Sequence, residues 1–77
     1  MATAIVLVTA DPGKDRKVAQ ELKKIKGVEG VCLVSGVYDV AATVRGGSPE
    51  DILGTVYDKI RALPGVRGSH TMFCLEV

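Results

Sequence analysis

The first apolar block, Ile5-Val6-Leu7-Val8 within Ala4–Thr9, lacks the in-out alternation of a half-exposed strand. Such a run predicts a strand interior to its sheet with both faces covered. The period then changes. Val18, Ala19, Leu22 and Ile25 recur three or four residues apart, as on one face of a helix. Asp11 suits its N-cap, Pro12 its first position and Asp15 its first turn. Gly27 is its stop. Val28–Ser35 reads as a second strand, followed by a tight connection at Ser35-Gly36-Val37. Tyr38–Arg45 alternates cleanly. Tyr38, Val40, Ala42 and Val44 fall on one side, and Asp39, Ala41, Thr43 and Arg45 on the other.

The clearest local signal follows the Arg45-Gly46-Gly47 turn. In Ser48-Pro49-Glu50-Asp51, Ser48 caps, Pro49 takes the first helical position and Asp51 stands where a capping box has its acid. Ile52, Leu53, Val56, Tyr57, Ile60 and Leu63 form the expected buried stripe, with Gly54 a point of close approach to the sheet. Pro64-Gly65 ends the helix, and the last strand lies within Val66–Val77. Gly27-Val28-Glu29-Gly30 is echoed by Gly65-Val66-Arg67-Gly68, so the chain divides into two β-α-β halves. Right-handed crossovers put both helices on one face and give the strand order 4-1-3-2. The fold class is α+β, a ferredoxin-like β-α-β-β-α-β sandwich. Its other face, with Ala41 and Phe73, is expected to bury itself against a second subunit.

Composition narrows the chemistry. Seventy-seven residues make one domain with thin intrinsic stability, and 47% are hydrophobic. Net charge is +1, which offers no footprint for nucleic acid. The stretch Lys14, Arg16, Lys17, Lys23, Lys24 and Lys26 reads as a solvated helix face. Cys32 and Cys74 fall on opposite edge strands, too far apart for an internal disulfide, and are expected as buried free thiols. No basic leader precedes the first strand and no apolar run spans a bilayer, so a reducing cytoplasm is expected. His70 and Cys74 lie about 13 Å apart on one face of a strand, beyond the reach of one zinc ion. Arg45-Gly46-Gly47-Ser48 lacks the lysine of a phosphate loop. No metal or cofactor is implied, and no catalytic cluster converges.

The candidate binding residues are Ser35, Gly36, Val37, Tyr38, Asp39, Ser69 and Thr71. The Ser35–Asp39 run brings backbone amides and a carboxylate to one end of the sheet. An amino-acid ligand needs those complements, donors for its carboxylate and an acceptor for its ammonium. Ser69 and Thr71 add hydroxyls from one face of the last strand. Asp39 reads equally well as a turn acceptor bonding its own backbone. Tyr38 reads as a site wall or as a packed edge aromatic, and His70 mainly as a surface or turn-packing residue.

These runs resemble the effector-binding domain of the leucine-responsive/asparagine regulator (Lrp/AsnC) family. The likeness covers nearly the whole chain. It rests on a Ser/Thr-Gly-x-Tyr/Phe-Asp run, here Ser35–Asp39, and a Gly-Val-x-x-Thr-x-Thr run, here Gly65–Thr71 with Ser69 in place of the first of its threonines. The resemblance implies a homodimer formed through the sheets and assembled into a ring, commonly an octamer. It also implies an amino-acid effector bound between dimers near Gly36, Val37, Tyr38 and Asp39. Family members carry a helix-turn-helix domain that is not seen here. The expectation is therefore a stand-alone sensor (residues 1–77) without direct DNA binding, acting alone or by co-assembly with a full-length regulator. The alternatives are a dimeric α+β barrel enzyme, a monooxygenase or isomerase, and a structural subunit that binds no ligand.

Overall fold

The computed structural model describes residues 1–77. Its elements are β1 (Ala2–Ala10), α1 (Asp15–Leu22), β2 (Val28–Leu33), β3 (Val40–Gly46), α2 (Pro49–Thr55) and β4 (Val66–Cys74). The last turns of α2 widen into a π-helical segment, Val56–Ile60. The sheet order is β2-β3-β1-β4 and every neighbouring pair is antiparallel, the order expected from the two-half pattern.

The core fills the seam between one sheet face and the helices. Ala4, Val6, Val8 and Ala10 of β1 and Val40, Ala42 and Val44 of β3 are buried there, with Val18, Leu22, Ile52, Val56 and Ile60 from the helical side. Ile5, alternating with them, is 40% exposed, and its β4 partner Met72 is 41% exposed. β1 is therefore interior to the sheet but covered on one face only. Phe73 pairs with Ala4, so it belongs to the helix side and not to the open face expected for it.

Several boundaries differ from the sequence pattern for local reasons. Asp11 and Pro12 do not start a helix. The Asp11 carbonyl accepts the Lys14 N–H at 2.9 Å, with Gly13 at φ 77°. Proline then positive-φ glycine at the two central positions is a type II turn. The helix begins at Asp15, whose carboxylate still lies in the first turn. It ends at Leu22, so Gly27 closes the connection into β2 rather than the helix itself.

The echoed turns match in detail. Val28 N–H donates to Ile25 O and Val66 N–H to Leu63 O, while Gly27 and Gly65 have φ 97° and 94°. A Cβ on Gly27 would lie 2.9 Å from the Arg45 carbonyl oxygen.

Ser48 caps α2 as expected, its Oγ accepting the Asp51 N–H at 3.2 Å. The buried stripe is narrower than predicted. Leu53 and Tyr57 are exposed, leaving Ile52, Val56 and Ile60, each four residues apart, with Leu63 partly buried against the core after them. In an α-helix a step of four overshoots a full turn by about 40°. The wider winding, seen in the Arg61 N–H bond to Val56 O, reduces that overshoot and keeps all three on the core. Gly54 faces open space; the close approach to α2 is made by Gly46, where a Cβ would sit 3.1 Å from Ile52 Cγ1.

Candidate functional site

β2 stops at Leu33 and β3 starts at Val40, so Ser35–Asp39 is a loop and Tyr38 and Asp39 lie outside the strand expected to contain them. Asp39 explains the late start of β3. Its carbonyl accepts the Val34 N–H, its N–H donates to Val8 O, and its Oδ2 accepts the Ala10 N–H at 2.8 Å. One half-buried residue thus fastens the end of β2 to the end of β1. It is held there because the β1–β3 ladder ends at the Val8–Val40 pair, leaving the Ala10 amide beyond it and beside the loop. The expected turn bond to its own backbone is not made: the Asp39 carboxylate accepts instead from the Ala10 N–H of a neighbouring strand.

Ser35, Gly36 and Val37 are exposed, Val37 at 83%. Tyr38 turns the other way from Val40. Its hydroxyl is 3.2 Å from His70 Nδ1 and the two rings meet edge to face, with centroids 6.2 Å apart. His70 pairs with Leu7, which alternates with buried Val6 and Val8, so this couple lies on the open face. Ser69 and Thr71 pair with Val8 and Val6 and are turned to the helix face. The register therefore puts Ser69 and Thr71 on one face and Tyr38 on the other, while Ser35–Val37 stay in the loop. Within one chain they do not enclose a common cavity, and none of them lines the three surface depressions. His70, expected as a surface or turn-packing residue, is exposed, and its place opposite Tyr38 depends on the β4 register.

Cys32 and Cys74 do lie on opposite edge strands, but both are exposed because both point to the uncovered face. No helix is long and apolar enough to cross a membrane. The basic residues of α1 are solvent-exposed.

The structure is a two-layer α+β sandwich of ferredoxin-like topology, with one bare sheet face and a glycine-aspartate loop at its rim. The family model described as the Lrp/AsnC ligand binding domain matches residues 3–77, and the chain belongs to that family. It is 38% identical over 73 residues to an uncharacterized HTH-type transcriptional regulator of Pyrococcus horikoshii, covering 91% of this chain and 49% of the relative. The chain thus spans about half the length of the curated relatives it matches. A solved protein of Thermus thermophilus superposes with a TM-score of 0.93 at 27% identity, covering 100% of this chain and 96% of that one. A Neisseria meningitidis transcriptional regulator, solved as a complex with L-Met, gives 0.86 at 18% identity, covering 97% of this chain and 50% of that one. At that identity the likeness is one of fold. Relatives it matches in Pyrococcus horikoshii and Pyrococcus abyssi are named as HTH-type transcriptional regulators.

Proposed function

We propose that this domain binds an amino acid at the Ser35–Asp39 loop and regulates amino-acid metabolism or transcription through its assembly. The observation that carries the reading is the loop itself. Asp39 anchors it to β1 while Ser35, Gly36 and Val37 stay exposed at the rim of an uncovered sheet face. Loop and face fit one arrangement, in which a second copy covers the sheet and further copies close the effector site against the loop. The placement of Tyr38 on one face and of Ser69 and Thr71 on the other favours a site completed by another chain. The two longer extents of the molecule, 34 and 24 Å, give a face on the order of 700 Å², near the ~800 Å² per partner of a standard interface. The L-Met complex of the Neisseria regulator supports an amino acid as the ligand class.

Calorimetric titration with each of the twenty amino acids, alongside the oligomer mass, tests the reading. Saturable binding of at least one by an assembled species is expected. Silence with all twenty at millimolar concentration would remove the sensor function, and a monomer at every concentration would remove the assembly.

A further inference from the structure

We propose that the groove between α1 and the free edge of β2 receives an extended acidic segment of a partner protein, added to the sheet as a fifth strand. β2 is an outer strand. The Val34 N–H is turned inward, donating to Asp39 O. Antiparallel alternation then turns the N–H and C=O of Val31 and Leu33 outward, where no strand meets them. Their side chains lie opposite Ala42 and Val40, on the side of α1. Two of the three depressions on the molecule run along this seam. One, about 140 Å³, is lined by Lys23 and Val28–Val31. The other, about 220 Å³, is lined by Arg16, Ala19, Gln20, Lys23 and Val31–Leu33.

Proteins usually blunt an edge with lysine, proline or an inward charge. The Val31-Cys32-Leu33-Val34 run has none of these, and Leu33 and Val34 are 42% and 37% exposed. The groove walls choose the occupant. Arg16 and Lys23 have no ion partner in the chain. The nearby acids are already engaged: Glu21 with Lys24 at 2.8 Å, which also holds its carboxyl below the usual range, and Glu29 with Arg45 at 2.7 Å. A second copy paired edge to edge would bring two α1 helices side by side, each with Lys14, Arg16, Lys17 and Lys23, so like charges oppose it. A nucleic acid would use the cations but neither the backbone edge nor the apolar floor of Ala19, Val31 and Leu33. A strand bearing acids four residues apart, with an apolar residue between, spans about 13 Å. Arg16 and Lys23 are separated by about 10 Å along α1, and their long side chains cover the difference.

The probe is a fluorescent nine-residue peptide with threonine at odd positions and glutamate and valine alternating at even ones. Anisotropy reads its affinity, and amide NMR reads its place on the intact protein. Saturable binding is expected, with the Val31 and Leu33 amides shifted and their exchange slowed. Lysine in place of the peptide glutamates, or the paired substitutions Arg16→Glu and Lys23→Glu in the protein, should each weaken binding about tenfold. Both positions are exposed, and circular dichroism checks that the variant is folded. N-methylation of the peptide amides facing β2 should abolish binding. Four results would overturn the assignment: no saturation below about 1 mM, equal binding of the lysine peptide, a DNA oligonucleotide bound at this seam in preference to the peptide, or Val31 and Leu33 amides already protected without peptide as protein concentration rises.

Discussion

Replacing Asp39 separates its work in the fold from its work in the loop. Asp39→Ala removes the acceptor of the Ala10 N–H, and Ala10 is buried, so the amide is stranded. A stranded buried donor costs about 1–3 kcal/mol. A central value of about 2 kcal/mol is a large share of the roughly 4–12 kcal/mol that a chain of this size has in total. At about 4–8 °C per kcal/mol, the midpoint of thermal unfolding should fall by about 8–16 °C. Asp39→Asn keeps an oxygen in the same place and removes only the charge, so its loss should stay below about 1 kcal/mol. The assay is urea and thermal unfolding of the three proteins at one fixed concentration, since association adds to apparent stability. Amino-acid titration of the folded variants follows. If the carboxylate holds an ammonium group, Asp39→Asn should remain folded yet lose affinity. An Asp39→Ala protein unfolding within about 0.5 kcal/mol of the parent would refute the anchoring argument. Undiminished affinity in Asp39→Asn would remove the charge from the binding site.

Two glycines should respond in opposite directions. Gly27→Ala meets both a positive φ and the Arg45 carbonyl, and should cost about 2 kcal/mol or more by urea melts, whereas Gly54→Ala, open and within the helix, should gain about 0.5–1 kcal/mol. Ser48→Ala should lose about 1 kcal/mol by the same measurement, because the Asp51 amide loses its cap. Ile5→Glu, on the open face opposite Met72, should leave the circular dichroism spectrum intact but shift the sedimenting species toward monomer. An unchanged mass would mean that the chains associate elsewhere.

The fold was largely legible because its strongest signals are local. The alternation of Val40, Ala42 and Val44, the Ser48-Pro49 cap and the echoed Gly-Val turns each fix an element, and handed crossovers then fix the strand order. What failed depended on competition between local signals or on register. Asp11-Pro12 suits a helix start and a type II turn equally, and Gly13 decides for the turn. Extending the β3 alternation places Tyr38 in the strand, but the Asp39 bonds to Val8, Ala10 and Val34 interrupt it and free Tyr38 to reach His70. Leu53 and Tyr57 fit an α-helical stripe that the π turn discards. The loop motif was readable as residues, whereas its separation from Ser69 and Thr71 follows from the pairing of β4 with β1.

The placement of the two thiols gives the molecule an internal gauge. Cys32 lies opposite Ala41 and Cys74 opposite Thr3, so both project from the uncovered face, one at each lateral margin. The rate at which a maleimide alkylates each should therefore map the footprint of a docked copy. Contact confined to the middle of the sheet would leave both rates fast, contact across its full width would slow both, and an offset copy would protect one sulfur while sparing the other.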